Sequence, residues 1–264
     1  MEVTLAVSLL LTLVVVAISL GGLVLVRRWI LAEDLKIQHD VADPLSQVVG
    51  MMFAVLLGFM VGDAMQRFAQ ARAIVQQEAA SLGDVFRLAD GLPAGNKDRI
   101  RALCISYAEQ TVSDEWPKMT SHTTSTIAWN TYRKLWKECV TVAPKDQGES
   151  NVQQTLLNCM VTLADNHRMR VEALHNGLPV VLWVVLVIGG VATIVFTYFF
   201  SAHRLKIQLI MVSLVSLVIC LNIFLLASYD DPFSGDVKVS PAAFETDLNT
   251  FKAELDANQP KSPN

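Results

Sequence analysis

The chain has 264 residues, of which 52% are hydrophobic and 17% charged, and its mean hydropathy is +0.40. A water-soluble globular domain carries about 25% charged residues, so the composition excludes an ordinary soluble protein. The net charge of −4, with no long Lys/Arg run, gives no footing for nucleic acid as a partner.

Four segments hold the hydrophobic excess. A bilayer core about 30 Å thick needs roughly 20 helical residues. Val3–Val26, Leu45–Gly62, Leu178–Phe200 and Ile207–Ala227 each lack Asp, Glu, Lys and Arg over a span of that order. Trp29, Trp183, Tyr198, Phe199, Phe200 and Tyr229 lie near their ends, as interfacial aromatics do. The first segment is not read as a cleaved signal: Met1-Glu2 carries no positive charge, and the apolar stretch is too long for an h-region.

The second span has no breaker after Gly62 and is expected to run on as one helix to about Ala89. Phe68, Ala71, Val75, Leu82 and Phe86 give that extension an apolar stripe. Gly91-Leu92-Pro93-Ala94-Gly95 marks a turn. A helix follows over about Asn96–Glu115, with Ile100, Leu103, Cys104 and Tyr107 on one face and Trp116-Pro117 as its end. Ser125 is placed to N-cap a third helix that buries Ala128, Tyr132, Leu135, Trp136 and Cys139. Ala143–Ser150 reads as a polar loop. A fourth helix, about Asn151–His175, turns Leu156, Met160, Leu163 and Leu174 inward and breaks at Asn176-Gly177-Leu178-Pro179. Beyond the fourth span, Tyr229–Gly235 forms a turn. Ser240-Pro241 then opens an amphipathic helix carrying Phe244, Leu248, Phe251 and Leu255, and Asn258–Asn264 reads as a disordered tail. No period-two alternation persists, so the predicted class is all-α. Transmembrane helices 1 and 2 occupy 1–63, a helical soluble domain 64–176, transmembrane helices 3 and 4 177–228, and a turn, helix and tail 229–264.

Sidedness rests on Lys/Arg flanks. Arg27, Arg28, Lys36, Arg204 and Lys206 lie on one side, and Arg67, Arg72, Arg168, Arg170 and Lys238 on the other. That is a draw. Glu2 before the first span and Arg27-Arg28 after it break the draw toward an extracytoplasmic soluble part. Cys139 and Cys159 lie about equally far from a loop centre near Glu149, which allows a disulfide between the helices flanking it. Small core fillers are the alternative reading of both.

No catalytic chemistry emerges. His39, His122, His167, His175 and His203 show no metal-ligand spacing, and there is no nucleotide loop, GxSxG or HExxH. No enzyme activity, cofactor or metal is therefore expected. Asn222 in the fourth span reads as a helix-packing polar residue. The second span carries more information. Gly50, Ala54, Gly58 and Gly62 form a small-residue row suited to close helix approach. One residue along run Gln47, Met51, Val55, Phe59 and Asp63. If the small row packs on a neighbouring subunit, Met51, Val55 and Phe59 become rings of a hydrophobic gate, with Gln47 and Asp63 at the mouths. Ordinary lipid-facing or core packing is the alternative for this row, and an i,i+4 pair with Arg67 is the alternative for Asp63.

Several segments resemble the bacterial bestrophin-like family of membrane proteins. They are Leu25-Val26-Arg27-Arg28 with His39-Asp40-Val41-Ala42, Phe53-Ala54-Val55-Leu56-Leu57-Gly58-Phe59, Glu78-Ala79-Ala80-Ser81-Leu82-Gly83, Glu115-Trp116-Pro117 and Gly177–Trp183. The closing Asp231-Pro232-Phe233-Ser234-Gly235 with Ser240-Pro241 and Phe244 is the most specific match. Bestrophins proper are pentameric ion channels with four spans per subunit and a pore along the second. The resemblance implies a homo-oligomer in the bacterial inner membrane, lipid and inorganic ions as partners, and a neck at Met51, Val55 and Phe59. It also implies a cytoplasmic helical part, against the first-span charges. A non-conducting sensor or scaffold that binds a partner through its soluble helices is the alternative.

Overall fold

The computed structural model describes residues 5–29, 39–199 and 204–258. The expected disordered tail beyond Asn258 and the flanking Lys36 lie outside them. The described residues are helical with no strand, in the order α1 Leu5–Trp29, α2 His39–Leu88, α3 Ala94–Gln110, α4 Trp116–Met119, α5 Ile127–Val140, α6 Gln147–Ala173, α7 Val180–Tyr198, α8 Leu205–Asp230 and α9 Ala242–Asn258. They form two compact units. One holds 1–68, 177–231 and 235–237, and the other holds 69–176, 232–234 and 238–264.

The first unit contains the four spans, each long and apolar enough to cross a bilayer. Only 17–22% of each apolar window is buried inside the chain, because in lipid the outward face has no need to be covered. α1 packs on α8 and α7, and α7 on α8. The core gathers Leu23, Phe53, Leu57, Met60, Ala64, Leu186, Ile194, Val212, Ile219 and Leu226. Glycines permit two close approaches. A Cβ at Gly189 would lie 2.8 Å from the Phe53 ring, and one at Gly22 2.9 Å from the Tyr198 hydroxyl. At the end of α8, Asp230 accepts the Leu178 N–H at 2.7 Å and Arg67 Nη2 at 3.2 Å. The carboxylate thereby sits at the N-terminal end of α7, where Pro179 supplies no N–H and negative charge is favoured.

α2 runs unbroken for 50 residues, about 75 Å at 1.5 Å per residue. That is more than twice the bilayer core, so the helix must extend beyond it. Its continuation follows from the absence of Gly or Pro between Gly62 and Leu88, apart from Gly83. Ala71, Val75, Leu82 and Phe86 are buried as the stripe predicts.

In the second unit α3 packs on α5 and α9, and α5 on α6. Phe86 stacks on Phe251 at 4.0 Å. Arg101 lies 4.4 Å from the Phe86 ring and bonds Asp90 at 2.7 Å. Four local expectations are corrected. Trp116-Pro117 does not end the helix. A π turn over Thr111–Glu115 leads straight into α4, where Pro117 occupies the first turn and needs no N–H partner. The chain turns instead at His122, whose φ of 55° is left-handed. The loop before α6 is also shorter than Ala143–Ser150, because Asp146 caps the helix by accepting the Glu149 N–H at 2.8 Å. Trp136, expected inside, is half-buried. Thr126, not Ser125, takes the N-cap position of α5, while Ser125 one residue earlier accepts the Ile127 N–H at 3.3 Å.

Candidate functional site

The membrane part of α2 has two different faces. Phe53, Leu57, Met60 and Ala64 point into the unit. Met51, Val55 and Phe59 point out, with exposures of 71%, 53% and 75%. Gln47 and Asp63 are exposed at the two ends of that row. The small-residue row beside it is open too: among the described residues, nothing outside the surrounding helix turns lies within 4 Å of a Cβ built on Gly50, Gly58 or Gly62. Gly50, Ala54 and Gly58 instead line one wall of a groove of about 480 Å³, closed by Thr193, Leu214, Val218 and Asn222. The Asn222 amide donates to its own helix at Val218 O, 2.9 Å away. Asp63 makes the i,i+4 pair, 3.2 Å from Arg67 Nε. Since Arg67 also reaches Asp230, two carboxylates share one guanidinium at this level.

Cys139 and Cys159 are free thiols. The short loop explains why they do not meet. With α6 beginning at Gln147, the residue level with Cys139 is Gln153, whose Nε2 donates to Cys139 O at 3.1 Å. Burial pushes the Cys139 thiol up to about 12. Burial first, then the neighbouring Cys139, raises that of Cys104.

The second unit contains a site not anticipated from the sequence. Glu78 on α2, Tyr107 on α3, Glu115 in the π turn, and His167 and Arg170 on α6 converge in its interior. Glu78, Tyr107, Glu115 and Arg170 are fully buried and His167 is 6% exposed. Arg170 binds Glu78 through Nε at 2.6 Å and Nη2 at 3.1 Å, and Glu115 through Nη2 at 2.9 Å. The Tyr107 hydroxyl lies 2.7 Å from Glu78 Oε1 and 3.1 Å from His167 Nδ1. His167 Nε2 faces Glu115 Oε1 at 3.8 Å, and that oxygen makes no hydrogen bond to the described residues. Trp129 stacks on the imidazole at 5.0 Å, while Trp116 lies 5.4 Å from the guanidinium.

The π turn helps build this site. Its wider winding keeps the four-residue steps Thr111, Glu115 and Met119 on one buried face. Thr111 and Ser113 return their hydroxyls to the carbonyls of Tyr107 and Glu109. Electrostatically, burial opposes the Glu78 charge. Arg170, aided by His167, nevertheless holds that carboxyl down at about 2. Burial likewise opposes the Arg170 charge, yet Glu78 and Glu115 together raise its pKa above the ordinary range. Burial, then Glu78, pushes the Tyr107 phenol well up. One sequence signal pointed here: Leu163, His167, Arg170 and Leu174 recur at helical spacing, so two ionisable residues interrupt an inward stripe.

The comparisons with known proteins follow the fold. No curated protein matches the chain by sequence. The bestrophin homolog of Klebsiella pneumoniae, solved by Zn-SAD phasing, has a similar structure. Its TM-score is 0.65 at 15% identity, covering 98% of this chain and 100% of that one. A tryptophan-to-alanine variant of that homolog gives 0.72 at 15% identity over 97% of each chain. A protein described only as a membrane protein gives 0.68 at 17% identity, over 97% of this chain and 98% of that one. These likenesses establish a shared fold. A sequence model of the Bestrophin-like domain matches residues 13–244, and the chain belongs to the bestrophin-like family.

Proposed function

We propose that the chain is one subunit of a homo-oligomeric ion channel whose pore runs along α2. Met51, Val55 and Phe59 form its hydrophobic gate, with Gln47 and Asp63 at the mouths. Gly50, Ala54, Gly58 and Gly62 pack against the adjacent subunit, five subunits closing the ring as in bestrophins proper. The observation that carries this reading is the outward exposure of the whole gate row, beside Gly50, Gly58 and Gly62, whose open Cβ positions no described residue outside the surrounding helix turns approaches within 4 Å. Three large side chains at four-residue spacing converge about an axis once copies surround it, and a constriction of that kind gates by dewetting. The protein acts in the bacterial inner membrane, with its helical unit on the extracytoplasmic side.

The test is current through the purified oligomer in a planar bilayer. Alanine at Met51, Val55 or Phe59 raises that current. An oligomer that never conducts, wild type or variant, overturns the reading. For sidedness, a single cysteine placed within 118–124 and labelled in intact cells by an impermeant maleimide reports the outside; protection from it reports the cytoplasm.

A further inference from the structure

Three charged side chains meet where α2 passes the end of α8 in the membrane unit. Arg67 lies 3.2 Å through Nε from Asp63 Oδ2 and 3.2 Å through Nη2 from Asp230 Oδ1. The three are not equally placed. The Asp63 side chain is 59% exposed, against 24% for Arg67 and 19% for Asp230. Asp63 is thus the member that faces outward, at the end of the exposed Met51, Val55 and Phe59 row.

Asp230 is fixed from two directions. Its Oδ1 accepts the Leu178 N–H at 2.7 Å, at the N-terminal end of α7 where a carboxylate is favoured. Phe68, next to Arg67, meets Tyr229, next to Asp230, edge-on at 5.2 Å. The backbones on both sides of the Arg67–Asp230 bond are therefore held, and Nη2 donates to a preset acceptor at 3.2 Å. Asp63 sits one turn from Arg67 on the same helix, and an exposed i,i+4 pair of that kind is weak. One guanidinium against two carboxylates leaves one negative charge per subunit. The exposures put that charge on Asp63, where water and ions reach it.

Resting on the reading of α2 as the pore helix, we propose that Asp230 is a positioning residue for the pore mouth: it engages the terminal nitrogen of Arg67 and so leaves the Asp63 charge only partly compensated. Asp230 itself touches no ion and acts through Arg67. A ring with one such carboxylate per subunit concentrates cations and repels anions at the entrance. Freed from Asp230, the guanidinium turns wholly to Asp63, and the mouth loses that bias.

The test is the reversal potential of the full-length oligomer in a planar bilayer under a KCl gradient, read as the potassium-to-chloride permeability ratio. Asp230→Asn keeps an acceptor for Leu178 and loses the charge opposite Arg67. It is expected to lower the ratio by roughly threefold or more, in the same direction as Asp63→Asn, while Arg67→Gln raises it. In an Asp63→Asn background, Asp230→Asn is expected to add no further change. The shift shrinks in about 1 M KCl, where the screening length is about 3 Å; a merely loosened fold would show no such salt dependence. If Asp230→Asn does not assemble, Asp230→Ser, which also keeps a short acceptor, takes its place. A conducting oligomer whose ratio ignores the Asp230 change, or shifts equally with Asp63 already replaced, overturns this proposal and leaves the channel reading standing. An oligomer that never conducts overturns both.

Discussion

Glu78 and Arg170 stand 92 positions apart in the chain and meet through two hydrogen bonds of 2.6 and 3.1 Å, with neither side chain exposed. This fork ties α2 to α6. Desolvating both ions offsets much of their attraction, so its main effect on stability shows when one partner is removed.

Arg170→Met therefore leaves Glu78 and Glu115 buried without a cation. The expected loss is about 3–5 kcal/mol of unfolding free energy, read as a lower melting temperature in detergent. Arg170→Lys restores the charge but not the planar fork that reaches both carboxylates, and recovers part of that loss. The double variant Glu78→Gln, Arg170→Met is expected to lose less than the sum of its single changes.

Glu78 also sets an acid limit. Its carboxyl falls from 4.5 to about 2 in the folded chain, where Arg170 overcomes the opposing effect of burial. An acid held low contributes stability that is full above its unfolded pKa and lost as pH falls through the folded one. The loss is expected between about pH 4.5 and 2. An acid-unfolding curve of Glu78→Gln lacks that component while showing lower stability at pH 7.

Asp247 on α9 has the opposite sign. Burial raises its carboxyl to about 6, against the lowering pull of Arg87. The folded chain holds this proton more tightly than the unfolded chain. The stability linked to it declines as pH rises from 3.8 to about 6. Asp247→Asn is expected to melt higher than the wild type at pH 7.5 and to converge with it near pH 4.

Two glycine substitutions separate packing within a subunit from packing between subunits. Gly189→Ala drives a methyl to 2.8 Å from the Phe53 ring and is expected to cost about 1–3 kcal/mol. Beyond its own helix turns, Gly58→Ala meets nothing within 4 Å among the described residues. It leaves the fold intact but weakens the proposed subunit contact, seen as a smaller species by light scattering in detergent.

Asp230→Ala leaves the Leu178 N–H and Arg67 without this partner, an expected cost of about 1–3 kcal/mol. Asp230→Asn keeps an acceptor for Leu178 and loses only the charge opposite Arg67. Thermal unfolding is expected to place it between alanine and wild type.

The four spans, the long run of α2 and the amphipathic α9 were legible in the sequence because each is set by local spacing. Absence of charge over a bilayer's length and an apolar stripe at helical period need no knowledge of the neighbours. The Met51, Val55 and Phe59 row and the small-residue row were legible as patterns on the same ground. The π turn that leads into Trp116-Pro117 and the early start of α6 were not, since a capping aspartate and a first-turn proline act through geometry one residue wide. The Glu78, Glu115, His167 and Arg170 cluster was hidden for another reason. Glu78 and Glu115 alone look like solvent-facing charges on a helix, and only tertiary packing brings three elements, α2, the π turn and α6, close enough for burial to be offset by pairing.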